Sequence, residues 1–417
     1  MLIDSRRRHL LHHENRFVLG AGAWYPSKPV AMGQTKTKTN QVRGSRSLRR
    51  RIVASLIEQG FRVSNSQILP PMGLTKDGIR ALHAIAVAHR RDRSKNGLVR
   101  QESVLLSRLA CGPEINPQKI HPKLVEVSAG TDDELLFRYA TLHWSIPVSS
   151  GYGRRLRFLI IDEQNEKLIG VLGLGDPVFS LLDRDAWIGW TANARRDYLR
   201  NVMDAFVLGA VPPYTFLLCG KLVAMLATSN EVRRAFKKKY GTRRSTIRRK
   251  RPDARLALIT TTSALGRSSI YNRMSYDHRL LALRVGTTRG SGEFHFSNGL
   301  YGKIFDYAVE HCVPTAKKSR WGTGFRNRRE VIKKCLGSVG ISTEWLYHGI
   351  RREVYAMPLA KNTCEFLRGE HQRLRGYDHP AADLFIYFQR RWLLPRSGRD
   401  QRFRAWGPES WRLWNEE

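Results

Sequence analysis

"RFLIIDEQNEKLIGVLGLGD", residues 157–176, decides the fold. "RFLIID" reads as a strand, "EQNE" as a tight turn and "KLIGVLGLGD" as a second strand. Neither run alternates apolar with polar residues. Both faces of the hairpin should therefore be covered by other elements. Asp162 opens the turn, where Asp is frequent. Arg154 and Arg155 lead into the first strand, and Asp176-Pro177 leaves the second.

Working downstream, "RRDYLRNVMDAFVLG" carries Leu199, Val202, Met203 and Phe206 at i, i+3, i+4, i+7, which predicts a helix. "YTFLLC" reads as a strand. "GKLVAMLATSNEVRRAFKKKYG" reads as a helix stopped by Gly241. "RLALITTTSA", "HRLLALRVG", "EFHF" and "RREVYAMPL" read as strands. "SSIYNRM", "NGLYGKIFDYAVEHC" and "RNRREVIKKCLG" read as helices. Upstream, "SLRRRIVASLIEQGF", "LTKDGIRALHAIAVAHRRD", "QESVLLSRLACG" and "TDDELLFRYATLHW" are all expected to be helical. The last opens with Thr131 and Glu134 at capping-box spacing.

These readings give an α/β (α+β) chain: a helical N-terminal region, then a mixed sheet flanked by helices. The expected organisation is a flexible basic arm at 1–45, a helical region at 46–148 and a mixed core at 149–315. An α/β extension at 316–370 and an Arg/Trp-rich tail at 371–417 follow. Met32 is a second candidate start. No fixed-period repeat is present.

Charge narrows the function. The chain has 72 Lys+Arg against 36 Asp+Glu, a net +36. Such an excess repels itself unless an anion relieves it. Nucleic acid is the expected partner, and the arginine bias suits bidentate phosphate contacts. No apolar run reaches the ~18 residues of a membrane span, and no clean signal peptide is visible. The expected location is the cytoplasm, with no membrane partner. Cys111, Cys219, Cys312, Cys335 and Cys364 form no CxxC pair, so neither a zinc site nor a disulfide framework is supported.

The densest basic stretch is Glu231–Leu256, with 12 Lys/Arg and two acids. On its helix, Val232, Phe236 and Tyr240 form an inward stripe. Arg233, Lys237 and Lys238 lie off that stripe. Arg243, Arg244, Arg248, Arg249 and Lys250 continue into the loop. With Arg154 and Arg155 these are the candidate backbone-binding residues. The alternative is a solvated charge run. Arg267, Ser268 and Ser269 sit at an expected strand-to-helix turn and are phosphate-site candidates. An ordinary helix cap fits the same residues. Asp176, Asp185 and Glu231 are the catalytic candidates, if carboxylates converge on Mg²⁺ for phosphodiester hydrolysis. Turn formation and salt bridges to arginine fit the aspartates as well. Glu293 and His295 would share one face of strand "EFHF", with no third partner.

Three longer motifs carry a resemblance. They are "LHWSIPVSSGYGRRLRFLIIDEQNEKLIGVLGLGDPVF" (142–179), "RDAWIGW" (184–190) and "GAVPPYTFLLCGKLVAMLATSNEV" (209–232). The chain resembles the DruA family over about Leu48 to Arg368. That family is named for a component of the Druantia bacterial anti-phage defence system. The resemblance implies a defence role alongside other defence-system proteins and brings no catalytic residue. The order hairpin, helix, strand, helix, strand also looks like a GNAT-type acetyltransferase sheet. That family's [QR]xxGx[GA] coenzyme A loop is missing, so coenzyme A is not an expected cofactor. The leading expectation is a basic nucleic-acid-binding defence component. The alternatives are a metal-dependent nuclease or nucleotide-processing enzyme and, ranked last, an acyltransferase.

Overall fold

A computed structural model describes residues 36–148, 153–243, 254–297, 299–315, 321 and 325–414. The chain divides into two units, Met1–Ser45 and Arg46–Glu417. The helices are α1 (Lys36–Glu58), α2 (Lys76–Leu98), α3 (Glu102–Ser107), α4 (Asp132–Thr141), α5 (Leu182–Ile188), α6 (Ala192–Tyr198) and α7 (Cys219–Leu226). They continue as α8 (Asn230–Tyr240), α9 (Leu300–His311), α10 (Phe325–Ser338), α11 (Thr363–Arg368), α12 (Ala381–Phe388) and α13 (Leu394–Arg399). Two short hairpins are β1 (Arg62–Val63) with β2 (Ile68–Leu69), and β8 (Ser275–Tyr276) with β9 (Arg279–Leu280). The remaining strands are β3 (Pro122–Glu126), β4 (Arg155–Asp162), β5 (Lys167–Gly175), β6 (Val202–Ala210), β7 (Leu258–Thr262), β10 (Leu283–Thr287) and β11 (Glu353–Pro358).

These last seven form one mixed sheet in the order β10-β11-β7-β6-β5-β4-β3. The β6–β7 pair is parallel, and the others are antiparallel. The fold is thus α+β. The opening hairpin is β4–β5, with Asp162 opposite Lys167 at its turn. Both of its faces are covered, as its unbroken apolar runs require. Leu156, Phe158 and Ile160 face a cluster containing Leu222 and Val223 of α7, Phe236 of α8 and Phe388 of α12. Leu159 and Ile161 face Leu105 of α3, Leu136 and Tyr139 of α4, and Trp414. Burying each such Leu, Ile or Phe side chain contributes roughly 1.5–3 kcal/mol. A separate cluster joins Ile52 of α1, Ile304 of α9 and Ile332 of α10.

Several local expectations are corrected. Residues 202–210 are the strand β6 and not a helix. Their 3.6-residue period coincides with a run apolar on both faces, and pairing with β5 and β7 prevails. "YTFLLC" is a series of turns, in which Phe216 N donates to Pro213 O (3.1 Å) and Leu217 N to Tyr214 O (3.1 Å). Pro212 and Pro213 have no N–H for a ladder. The single helix expected after it is two, α7 and α8, divided where Ser229 Oγ accepts from Val232 N at 3.4 Å. "EFHF" is a 3₁₀ turn, Phe294–Phe296, so Glu293 and His295 do not share a strand face. "SSIYNRM" forms no helix.

α1 begins at Lys36, inside the stretch read as an arm. The stretch 46–148 also supplies an edge strand, β3, paired with β4. The tail folds onto the sheet: Phe403 packs in the α7–α8 cluster and Trp414 in the α3–α4 cluster. The Thr131 cap holds, with its Oγ1 accepting from Glu134 N (3.4 Å) while Glu134 reaches back to Gly130 N (2.8 Å). No helix among the described residues is long and apolar enough to cross a membrane.

Candidate nucleic-acid interface

The amphipathic reading of α8 is what places the basic residues. Val232, Phe236 and Tyr240 are buried, four residues apart on one stripe. Lys237 and Lys238 are therefore turned to solvent. They lie in the last turn, where the negative end of the helix dipole favours cations. Tyr240 fixes this end of α8 to the start of β4. Its hydroxyl accepts from Arg155 N (2.7 Å) and donates to Arg155 O (2.5 Å). The guanidinium of Arg243 lies 5.8 Å from the same ring. Tyr240 thus ties the backbone of Arg155 to the end of α8, where Lys237, Lys238 and Arg243 are exposed.

Arg154 and Arg233 are turned to other work. Arg154 stands over Phe236 (5.4 Å) and Tyr240 (5.8 Å). Its Nε donates to Asp176 Oδ1 (2.7 Å), Nη1 to Arg200 O (2.5 Å) and Nη2 to Val202 O (3.1 Å). It braces the start of β4 against the start of β6. Gly153 is needed beside it, with φ +71° and a hypothetical Cβ 2.0 Å from Asp176 Oδ2. Arg233 is half-buried and donates to Asn230 Oδ1 and Tyr377 O. Burial lowers the pKa of its guanidinium. Arg244, Arg248, Arg249 and Lys250 lie outside the described residues.

The catalytic candidates are each taken up by the fold. Asp176 pairs with Arg154. Asp185 accepts from Arg184 Nε (2.8 Å), Arg195 Nη1 (3.0 Å) and Leu181 N (3.2 Å). Glu231 pairs with Arg234 (2.6 Å) and accepts from Ala381 N at the start of α12 (3.0 Å). Among the described residues, no three His, Cys, Asp or Glu side chains are grouped to hold a metal ion. Arg267, Ser268 and Ser269 follow β7 in an irregular turn, where Ser268 Oγ accepts from Ile270 N (3.2 Å). The helix start that would have supplied free amides is absent there, which corrects that expectation.

Asp204 and Lys221 are among the ionisable groups inside the fold that the sequence reading did not single out. Asp204 lies on β6 opposite Thr260, whose Oγ1 donates to Asp204 Oδ1 at 2.8 Å. Burial pushes its carboxyl up to about 6, against the Thr260 hydrogen bond and the nearby Arg184. A lone Asp inside "VMDAFVLG" was the available signal, hidden by the helix assignment. Lys221 donates from Nζ to Ile270 O (2.5 Å) and Asn272 O (2.9 Å). Burial lowers its ammonium to about 8. A lysine within "CGKLVAML" was the signal there.

Residues 73–369 match the family described as Druantia protein DruA. A relative from Escherichia coli (strain UMEA 4076-1), named Druantia protein DruA, is 41% identical over 360 residues. The alignment covers 86% of this chain and 89% of the relative. No solved structure matches the chain.

Proposed function

This chain belongs to the DruA family, named for a component of the Druantia anti-phage defence system, and from that premise we propose that it is a nucleic-acid-binding component of such a system. One observation carries the reading. The apolar stripe of α8 is spent on the core, which leaves Lys237 and Lys238 in solvent in the same helical turn as Tyr240, whose ring Arg243 approaches. The chain as a whole carries a net charge of +36, so its basic residues outnumber its acids. Such a surface neutralises phosphates without reading sequence. The protein would work in the cytoplasm with other proteins of the defence system.

The sheet supports a GNAT-like reading in shape only. The order is hairpin β4–β5, helices α5 and α6, strand β6, helices α7 and α8, strand β7. After β6 the chain runs Val211-Pro212-Pro213-Tyr214, with no [QR]xxGx[GA] loop to hold a pyrophosphate. Shape alone licenses no acyl transfer.

The test is a combined Lys237→Ser, Lys238→Ser, Arg243→Ser, Arg244→Ser variant. Lys237, Lys238 and Arg243 are exposed and Arg244 follows Arg243 in sequence, so folding should persist. Its affinity for nucleic acid should fall, and its log–log salt slope should flatten by about 1 for each phosphate contact removed. An unchanged affinity and slope would sink the assignment.

A further inference from the structure

The α12 side of the molecule carries an open cleft of about 530 Å³ lined by Tyr276, Asp383, Ile386, Tyr387, Arg390 and Arg391. Its size falls in the range of pockets that hold small organic groups. Three elements build it. The β8–β9 hairpin turns through Asp277 (φ 48°) and His278 (φ 57°), a left-handed pair that sets Tyr276 opposite Arg279. α12 supplies Asp383, Ile386 and Tyr387. The helix then widens into a π-helical turn, Gln389–Leu393, which carries both arginines. Such turns are rare and recur at functional sites.

The chemistry of the lining is specific. Tyr276 meets Tyr387 edge-to-face, with centroids 5.4 Å apart and planes at 89°. Arg391 lies 5.8 Å from the Tyr387 ring and 5.1 Å from Trp392. Arg390 and Arg391 are exposed, and neither forms an ion pair among the described residues. Ile386 in the same lining remains 44% exposed. The array extends past the cleft: Arg279 stands 4.3 Å over Tyr377, which stacks on His379 at 5.3 Å and 8°. His379 is buried, and neither of its ring nitrogens has a hydrogen-bond partner. Aromatic faces, an apolar floor, two unpaired arginines and one carboxylate thus converge.

A planar, anionic, amine-bearing ligand satisfies all four. A nucleobase stacks on tyrosine whatever its identity. Its flanking phosphate suits the arginine fork. An exocyclic amine can donate to Asp383. A base inside a duplex offers its phosphate but neither its face nor its pairing edge, since its faces are stacked and its edge is paired. We propose that this cleft takes an unpaired base with its adjoining phosphate, so that the protein holds single-stranded nucleic acid there. The proposal rests on the nucleic-acid reading above and names its substrate class. It concerns a surface that the α8 variant leaves untouched.

The experiment uses the full chain, a labelled deoxycytidine homopolymer, the matching ribose polymer and a blunt mixed-sequence duplex. Tyr276→Ala and the double variant Arg390→Gln, Arg391→Gln are compared with the unaltered protein. Single-strand affinity should fall about tenfold in each, with duplex affinity within twofold of the original. Tyr276→Phe should bind normally, because the ring and not the hydroxyl stacks. The arginine pair is exposed, so its substitution keeps the test valid should Tyr276→Ala fail to fold. Equal losses on duplex and single strand, or no loss on either, would overturn the cleft while leaving the α8 surface standing. An unaltered protein that binds neither polymer nor duplex would instead overturn nucleic-acid binding itself, and the cleft with it.

Discussion

Glu102→Ala should cost about 3–5 kcal/mol of stability and release the C-terminal tail. Glu102 is 1% exposed. Its Oε1 accepts from Leu413 N at 2.6 Å, and its Oε2 accepts from Trp414 N at 3.2 Å. The Tyr139 hydroxyl lies 2.7 Å from Oε1 and 2.8 Å from Trp411 O. Alanine leaves Leu413 N and Trp414 N without their acceptor and takes one of two acceptors from the Tyr139 hydroxyl. A hydrogen bond to a charged group contributes roughly 1.5–3 kcal/mol, and an orphaned buried donor costs a similar amount. The tail would then lose its seat, where Trp411 stacks flat on His143 with centroids 3.9 Å apart. Urea melts would show the loss, and limited proteolysis would show early cleavage after residue 400. A melt within ~0.5 kcal/mol of the original would refute the latch.

Stability should also fall steeply as pH drops below about 6.5. Burial favours the neutral form of five histidines, His379 among them. It lowers His83 and His295 to about 4 and His143 to about 3, and it depresses His348 as well. Positive neighbours add to this: Arg352 beside His83, Arg91 beside His143, Arg329 beside His295, and His295 and Arg352 beside His348. His295 Nε2 lies 2.8 Å from Trp345 O, a bond that works in the other direction. The unfolded chain takes up these protons near pH 6.5, and the folded chain does not until well below. The stabilisation is therefore complete above 6.5 and is lost as pH falls towards 4. The slope is up to about 1.4 kcal/mol per pH unit for each histidine. Asp204 has the opposite sign, since its folded carboxyl keeps its proton to about 6. Glu293, raised by burial, sides with Asp204. Denaturation midpoints at about pH 7.5, 6.5, 5.5 and 4.5 check the balance. A profile flat down to 4.5 would contradict it.

How much of this was legible in the sequence depends on whether the signal was local. The β4–β5 hairpin was legible because two unbroken apolar runs flank one polar turn. The α8 stripe was legible because four-residue spacing of Val232, Phe236 and Tyr240 has one helical meaning. β6 was not, because a strand buried on both faces has no alternation to oppose a coincidental helical period. β3 was not, since "PKLVE" is a short edge strand with charges on it. Among the site residues, the backbone of Arg155 is held to α8 by the Tyr240 hydroxyl and Arg243 stands near its ring, which no spacing encodes. The capture of Arg154 and Arg233 by backbone carbonyls is likewise tertiary. The cleft joins Tyr276 to residues 383–391 across about a hundred positions, beyond the reach of any motif.

The measurement that tests the central claim most directly is binding of the purified protein to labelled single- and double-stranded DNA and RNA across a salt series. The expected result is tight binding at low salt, with log affinity falling linearly against log salt at a slope set by the phosphates neutralised. Absence of binding at low salt would contradict the account and turn the +36 charge towards an acidic protein partner.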